Sequence, residues 1–127
     1  MDMEALKKIS VVFIEDEPEI MQALAAYFGR KVRVLYRASN GREGLDIILA
    51  HKPDVIITDL EMPEMNGLQM IETLKNADGD YRPIIVATGY DDAEHKSDFA
   101  DAYIFKPLNL KKLAELICDM AKQYNKI

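Results

Sequence analysis

The chain has 127 residues, 49% of them hydrophobic, so a single domain over residues 1–127 can bury a core without disulfides. The net charge of −6 disfavours nucleic acid and anionic membranes as partners, because either would need a cationic patch. The one cysteine excludes an internal disulfide, and no stretch has the pattern of a signal peptide or a membrane span. We therefore expect a soluble cytoplasmic protein.

Apolar runs alternate with amphipathic segments along the whole chain. The predicted strands, in chain order, cover residues 9–14, 31–36 (an edge strand), 55–57, 84–87 and 102–105. The first predicted helix begins at Pro18 and ends before Gly29, and the second is opened by Asn40-Gly41 with Leu45, Ile48 and Leu49 facing inward. The others cover residues 66–75, a short polar stretch at 91–99, and a closing helix that Asn109 can cap.

The central stretch runs from Asp54 to Gly67. Its apolar run reads as a strand buried on both faces, and Asp59 follows where that strand ends. A carboxylate is costly to bury, so Asp59 must lie at the open end of the strand. Pro63 and Asn66-Gly67 then mark a tight loop that leads into an amphipathic helix.

Five strands alternating with five helices predict a parallel sheet that is covered by helices on both faces. In such sheets the functional crevice lies outside the carboxyl ends of the strands. Four of these ends carry polar side chains, namely Glu15-Asp16, Asp59, Thr88 and Lys106. We expect these side chains to meet at one edge of the sheet.

This group of side chains suits a cation and a phosphoryl group. Three carboxylates at one edge repel each other, and a divalent cation with oxygen ligands relieves the repulsion. Mg²⁺ is the natural candidate, with Asp16 and Asp59 as direct ligands beside a main-chain carbonyl and a phosphoryl oxygen. Lys106 adds a positive charge and Thr88 a hydroxyl donor, which together would neutralise phosphoryl oxygens.

The chain resembles the receiver domain of two-component response regulators, of the single-domain chemotaxis-regulator type, over essentially its whole length. The motifs that carry the resemblance are Phe13-Ile14-Glu15-Asp16-Glu17, Asp59-Leu60-Glu61-Met62-Pro63-Glu64-Met65-Asn66-Gly67, Ala87-Thr88-Gly89 and Tyr103-Ile104-Phe105-Lys106-Pro107. The resemblance implies a flavodoxin-like (βα)5 three-layer sandwich whose parallel strands have the order 2-1-3-4-5.

The resemblance also implies a function for each motif. Asp59 would accept a phosphoryl group from a phosphohistidine, with Mg²⁺ held by Glu15, Asp16, Asp59 and the main-chain oxygen of Glu61. Lys106 would pair with the phosphoryl oxygens, and the peptide bond that joins it to Pro107 would be cis. The new charge would draw the Thr88 hydroxyl toward Asp59, and Tyr103 would move inward to fill the space, which reshapes a protein-binding surface.

Such a domain acts through other proteins. The expected partners are a sensor histidine kinase or a histidine phosphotransfer protein, and a downstream effector or an attached output domain, with no direct contact to nucleic acid or membrane. The chain would be a monomer or a weak dimer, and its only chemistry would be its own phosphorylation and dephosphorylation.

Three features depart from the common receiver pattern. Glu15 replaces the more usual aspartate of the acidic pair. Glu61 and Tyr90 occupy the positions, two residues after the acceptor and after the switch threonine, that tune the lifetime of the phosphoryl group in the family. The short interval between Thr88 and Lys106 leaves little room for the usual fourth helix.

Two other classes of protein remain alternatives. Asp59-Leu60-Glu61 resembles the nucleophile motif of haloacid-dehalogenase-type phosphatases, although those enzymes place it after their first strand and use aspartate at both acidic positions. A flavodoxin-like cofactor binder has the same topology, but its first loop must cradle phosphate. The acidic sequence Glu15-Asp16-Glu17 would repel that group.

Overall fold

The computed structural model describes residues 3–60, 62, 64–89 and 100–127. A 3₁₀ helix, Met3–Lys8, precedes the first strand. The strands are β1 (Ser10–Ile14), β2 (Val34–Ala38), β3 (Val55–Asp59), β4 (Ile84–Thr88) and β5 (Ala102–Phe105). The α-helices are α1 (Pro18–Phe28), α2 (Gly41–His51), α3 (Gly67–Lys75) and α4 (Leu110–Gln123).

The five strands form one parallel sheet, as the sequence predicts, and their order β2-β1-β3-β4-β5 is the one that the resemblance to receiver domains implies. The strand order reverses between β1 and β3, and in parallel sheets a crevice forms outside the carboxyl ends at such a point. Ile14 of β1 is paired with Thr58 of β3, so the residues that follow both strands emerge side by side. The topology therefore brings the first two acidic motifs together.

Two hydrophobic cores lie on opposite faces of the sheet. One is made of sheet residues such as Phe13 and Ile57 packed against α1 and α4, and the other has Ile14 and Ile56 packed against α2 and α3. Adjacent strand residues thus point to opposite cores, which is why the central strands β1, β3 and β4 carry apolar residues on both faces. The result is the predicted three-layer sandwich. Among the described residues, none of the helices combines the length and the apolar composition that crossing a bilayer requires.

Asparagine side chains begin three of the helices. Asn40, Asn66 and Asn109 each accept a hydrogen bond from the main-chain N–H three residues later, which satisfies a donor that the helix cannot pair. At α3 the side-chain oxygen of Gln69 in turn accepts a hydrogen bond from the Asn66 N–H, which completes a capping box. The Asn109 cap confirms the prediction from the sequence.

The structure corrects the predicted position of β2. Its strand runs from Val34 to Ala38 rather than over residues 31–36, because the N–H groups of Lys31 and Val32 still donate to the Phe28 carbonyl at the end of α1. The Arg33 N–H donates to the Ile9 carbonyl at 2.8 Å, and the paired residues of β2 and β1 begin at Val34, opposite Ser10. The prediction that β2 lies at an edge of the sheet is confirmed.

Two further details differ from the prediction. Leu49 was expected to face inward, yet it is 44% exposed, because α2 turns the stripe of Leu45 and Ile48 to the sheet and leaves Leu49 on its flank. The 3₁₀ helix was not predicted, and it buries Leu6 in the core against α1 and α4. The helix predicted at residues 91–99 lies outside the described residues.

A polar cluster of Arg82, Asp101 and Tyr124 connects the amino ends of β4 and β5 to the end of α4. The Asp101 side chain, only 3% exposed, accepts hydrogen bonds from the Ile84 N–H at 2.7 Å, the Arg82 Nε at 2.7 Å and the Tyr124 hydroxyl at 2.8 Å. The Arg82 guanidinium also lies over the Tyr124 ring. These contacts compensate for the cost of burying the Asp101 carboxylate.

We expect Asp101→Ala to lower the free energy of unfolding by about 3 kcal/mol, because it leaves the Ile84 N–H without its partner and removes the acceptor for Arg82 and Tyr124. Tyr124→Phe, which removes the hydrogen bond that the hydroxyl donates to Asp101 and the one it accepts from Arg82, should cost about 1 kcal/mol. Urea denaturation followed by circular dichroism measures both changes. The control is Lys7→Ala, whose exposed pair with Glu4 should contribute less than about 0.5 kcal/mol. Equal effects of Asp101→Ala and Lys7→Ala would contradict the assignment.

Candidate functional site

Three carboxylates meet at the carboxyl edge of the sheet. Glu15 and Asp16 directly follow β1, and Asp59 is the last residue of β3. One carboxylate oxygen from each of the three lies within 4.8 Å of the others. The spacing arises because β1 and β3 are adjacent parallel strands that end at the same level.

Lys106, directly after β5, reaches across the end of β4 to the acidic residues. Its Nζ lies 2.9 Å from Asp59 Oδ2 and 3.0 Å from Glu15 Oε1, so one ammonium group contacts two of the three carboxylates. Its main-chain N–H donates to the Thr88 carbonyl at 2.8 Å, which holds the end of β5 against the end of β4. The peptide bond between Lys106 and Pro107 is cis, as the resemblance implies.

The electrostatics of the site follow from its partial burial. Desolvation raises the pKa of the Glu15 carboxyl to about 7, although hydrogen bonds from Lys106 and from the Glu17 N–H oppose that rise. Burial alone would lower the pKa of Lys106, but its hydrogen bonds to Asp59 and Glu15 outweigh that effect and raise it. Lys106 is therefore a cation at every physiological pH, and it balances only part of the acidic charge.

The three acids fit a divalent cation that prefers oxygen ligands. They offer convergent carboxylate oxygens, and the single ammonium leaves an excess of negative charge. Hard oxygen ligands of this kind suit Mg²⁺ rather than metals that prefer nitrogen or sulfur. Glu61, whose main-chain oxygen was predicted as a further ligand, lies outside the described residues.

Thr88 and Tyr103 lie on the same face of the sheet. Thr88 is the last residue of β4 and is 1% exposed. Tyr103 is opposite Val86 in the register, half-buried, and packs against the core under α2 and α3. The residue directly opposite Thr88 is Phe105, which is 40% exposed and which the sequence analysis did not single out.

The sequence analysis did not identify two further groups that contact Asp59. The main-chain N–H of Leu60 donates to Asp59 Oδ1 at 2.8 Å, and the Thr58 hydroxyl donates to the Asp59 carbonyl oxygen at 2.9 Å. A main-chain N–H cannot be identified from the residue type. Thr58 could have been noticed, because it is a polar residue inside an apolar strand. Tyr90, predicted to tune the lifetime of the phosphoryl group together with Glu61, is also outside the described residues.

Comparisons with known proteins agree with this arrangement. Residues 11–118 match the family model of the response regulator receiver domain. The polar-differentiation response regulator DivK of Brucella anthropi is 30% identical over 113 residues, which are 85% of this chain and 92% of DivK. An uncharacterized response regulatory protein of Vibrio cholerae is 30% identical over 123 residues. This chain spans only 51% of that protein, and about half the length of several other curated relatives.

Solved structures show the same fold. The chemotaxis protein CheY4 of Vibrio cholerae superposes with a TM-score of 0.80 at 24% identity, covering 88% of this chain and 98% of that one. The receiver domain of a histidine kinase from Syntrophus aciditrophicus superposes with a TM-score of 0.80 at 27% identity, covering 91% of each chain.

These findings decide between the three classes of protein that the sequence left open. The acidic nucleophile motif follows β3 in the middle of the sheet rather than the first strand, and Glu15 with Asp16 occupies the place where a cofactor phosphate would have to bind. Neither a haloacid-dehalogenase-type phosphatase nor a flavodoxin-like cofactor binder is supported. The chain belongs to the family of response regulator receiver domains, and it is a phosphorylation-dependent signalling switch.

Proposed function

We propose that this switch is operated by phosphorylation of Asp59. The observation that carries the proposal is the environment of its carboxylate, which is 12% exposed at the end of a central strand. One oxygen accepts from the Leu60 N–H and the other contacts the Lys106 ammonium. A carboxylate fixed in this way does not have to be reoriented before it attacks a phosphorus atom.

The phosphoryl donor in this proposal is a phosphohistidine of a partner protein. An Asp59 oxygen forms a bond to phosphorus while the bond from phosphorus to the imidazole nitrogen breaks. The imidazole leaves with that electron pair and takes up a proton. The Lys106 ammonium stabilises the charge on the transferred oxygens, and the Thr88 hydroxyl is the second donor to them. No net hydrolysis occurs in this step.

Glu15, Asp16 and Asp59 are the side chains that would hold Mg²⁺, together with the main-chain oxygen of Glu61. When bound, Mg²⁺ offsets the charge that accumulates on the phosphoryl oxygens. The convergence of the three carboxylates within 4.8 Å supports this assignment. Glu15 has a longer side chain than the aspartate usual at its position, and its contact with Lys106 keeps its carboxylate beside Asp59.

Thr88 and Tyr103 transmit the change in this proposal. Phosphorylation adds a charge of roughly −1.5 to −2 next to Thr88, which draws the Thr88 hydroxyl toward the phosphoryl group. Tyr103 lies on the same face of the sheet and packs at the edge of the second core, so it can move into the space that Thr88 leaves. The modification would thereby favour one of two packings of the surface around β5.

The partners we propose are a histidine kinase or a histidine phosphotransfer protein, and a protein effector. A groove of about 300 Å³ between α1 and residues 106–110 opens beside Lys106, so a donor protein seated there would be close to Asp59. The chain would act in the cytoplasm as a monomer or a weak dimer. Its chemistry would be limited to acquiring one phosphoryl group and losing it again.

The first test is a mass measurement after treatment with acetyl phosphate and Mg²⁺. We expect the wild-type chain to gain one phosphoryl group, because Asp59 is the acceptor, and Asp59→Asn to gain none. Removing Mg²⁺ with EDTA should abolish the labelling. Asp54→Asn is the matched control, since Asp54 is bonded to Ser10 at the other end of β3. Labelling of Asp59→Asn at the wild-type rate would refute the assignment.

Lys106→Met should slow labelling by acetyl phosphate about 100-fold, because the variant lacks the ammonium that stabilises the transferred oxygens. The rate is measured by mass spectrometry at several times of reaction. Lys122→Met removes an equal charge from an exposed position in the last turn of α4, near Tyr124, which contacts Asp101 at the opposite end of the sheet, and it should be labelled at the wild-type rate. If both variants react alike, Lys106 has no role beyond its ionic contacts.

Thr88→Ala should separate phosphorylation from its structural response. We expect beryllofluoride to shift the amide resonance of Leu60 in this variant but to leave that of Tyr103 unchanged, because the hydroxyl that links the two is missing. Two-dimensional ¹H–¹⁵N NMR spectra measure both. Thr73→Ala, on the exposed side of α3, should respond like the wild type. A wild-type response of Tyr103 in Thr88→Ala would disprove the coupling.

A further inference from the structure

Thr58 is a buried polar residue for which the switch described above has no use. The whole residue is 0% exposed, and among the described residues only four polar or charged ones are buried together with their main chain. Of the other three, Ser10 is bonded to Asp54 at the opposite end of the sheet, while Glu15 and Thr88 belong to the site itself. Thr58 remains to be explained.

Packing alone does not call for a hydroxyl at this position. The strand partners of Thr58 are Ile14 on β1 and Val86 on β4, both apolar and buried. Valine has nearly the same shape as threonine and would fill the same space without a polar atom to desolvate. The hydroxyl is therefore favourable here only through its hydrogen bond, and that bond goes to the Asp59 carbonyl oxygen at 2.9 Å.

The Asp59 carbonyl is part of the peptide unit between Asp59 and Leu60, and this unit also makes a hydrogen bond to the Asp59 side chain. The N–H at the other end of this unit is that of Leu60, and it donates to Asp59 Oδ1 at 2.8 Å. Because a peptide unit is planar and rigid, fixing its carbonyl end also fixes the direction of its N–H. The Thr58 hydroxyl thus acts on the carboxylate through one rigid unit.

The first turn of α3 confines the same carbonyl from another side. A Cβ atom placed on Gly67 would lie 2.2 Å from the Asp59 oxygen, far inside van der Waals contact, so the backbone of α3 approaches this carbonyl closely. The Gly67 N–H also donates to the Leu60 carbonyl at 2.9 Å. The peptide unit between Asp59 and Leu60 is therefore held between the Thr58 hydroxyl and the start of α3.

From these contacts we propose that Thr58 is a positioning residue for the Asp59 carboxylate. Its hydroxyl orients the peptide unit between Asp59 and Leu60, and the N–H of that unit holds Oδ1 so that Oδ2 faces Lys106. The proposal rests on the proposed role of Asp59 as acceptor. It adds a residue that touches neither the cation nor the phosphoryl group and acts only by fixing the direction of attack.

The test compares Thr58→Val, which keeps the shape and loses the hydroxyl, with Thr58→Ser, which keeps the hydroxyl. We expect acetyl phosphate at saturating concentration to label Thr58→Val about tenfold more slowly than the wild type, since misplaced reacting groups lower a reaction rate by up to about 100-fold. Thr58→Ser should stay within about twofold of the wild type. The control, Thr73→Val, removes a hydroxyl that donates to a helix carbonyl on the exposed side of α3 and should label normally.

A second measurement separates positioning from stability. The amide proton of Leu60 reports its hydrogen bond to Asp59 Oδ1, so its ¹H–¹⁵N resonance should move upfield in Thr58→Val and return in Thr58→Ser. A purely structural role would change the free energy of unfolding in urea and leave this resonance and the saturated labelling rate unaltered. If Thr58→Val does not fold, Thr58→Cys, which has only a weak donor, replaces it in the comparison with Thr58→Ser.

The two proposals fail in different ways. If the wild-type chain is labelled at Asp59 and Thr58→Val matches it in rate and in the Leu60 resonance, only the positioning role is wrong. If the wild type is not labelled at all, the proposed acceptor is wrong. The Leu60 resonance still decides in that case whether Thr58 orients the carboxylate, because it needs no phosphoryl donor.

Discussion

The ammonium of Lys106 lies between two carboxylates that would otherwise repel each other at the end of the sheet. Its contacts with Glu15 and Asp59 join the ends of β1, β3 and β5, three strands that are far apart in the chain. Charges in this partly buried position interact more strongly than they would in water. Asp16 adds a third carboxylate, so the edge keeps an excess of negative charge. That excess suits a divalent cation at the same edge, and the phosphoryl group of the proposed switch would bind beside that cation.

β5 is attached to β4 at both of its ends by contacts of different kinds. At the carboxyl end the Lys106 N–H donates to the Thr88 carbonyl, and at the amino end Asp101 accepts from the Ile84 N–H and from the end of α4. Tyr103 lies between these two attachments. In the proposed switch, a change at Thr88 would meet a strand whose ends are fixed, so the response would come from the Tyr103 side chain rather than from the main chain of β5.

The main chain at Asp59 and at Met65 packs closely against the first residues of α3 and α2. Gly67 lies too close to the Asp59 carbonyl for any side chain, and a Cβ on Gly41 would lie 2.4 Å from the carbonyl oxygen of Met65, which accepts the Gly41 N–H. The starts of α2 and α3 thus rest on the main chain at Met65 and at Asp59, respectively. Rigid support of this kind suits a site whose chemistry depends on the direction of one carboxylate.

The sequence by itself determined the five strands and the four α-helices that the structure describes, because the period of the apolar residues, the asparagine caps and the acids at strand ends are local signals. It also identified Glu15, Asp16, Asp59, Thr88 and Lys106 as one group, since parallel strands end at a common edge. Only the tertiary structure decided where β2 begins, that Leu49 is exposed, and which oxygens Lys106 and the Leu60 N–H contact. Those details depend on distances and side-chain orientations that are set by packing between segments remote in the chain, and no local pattern encodes them.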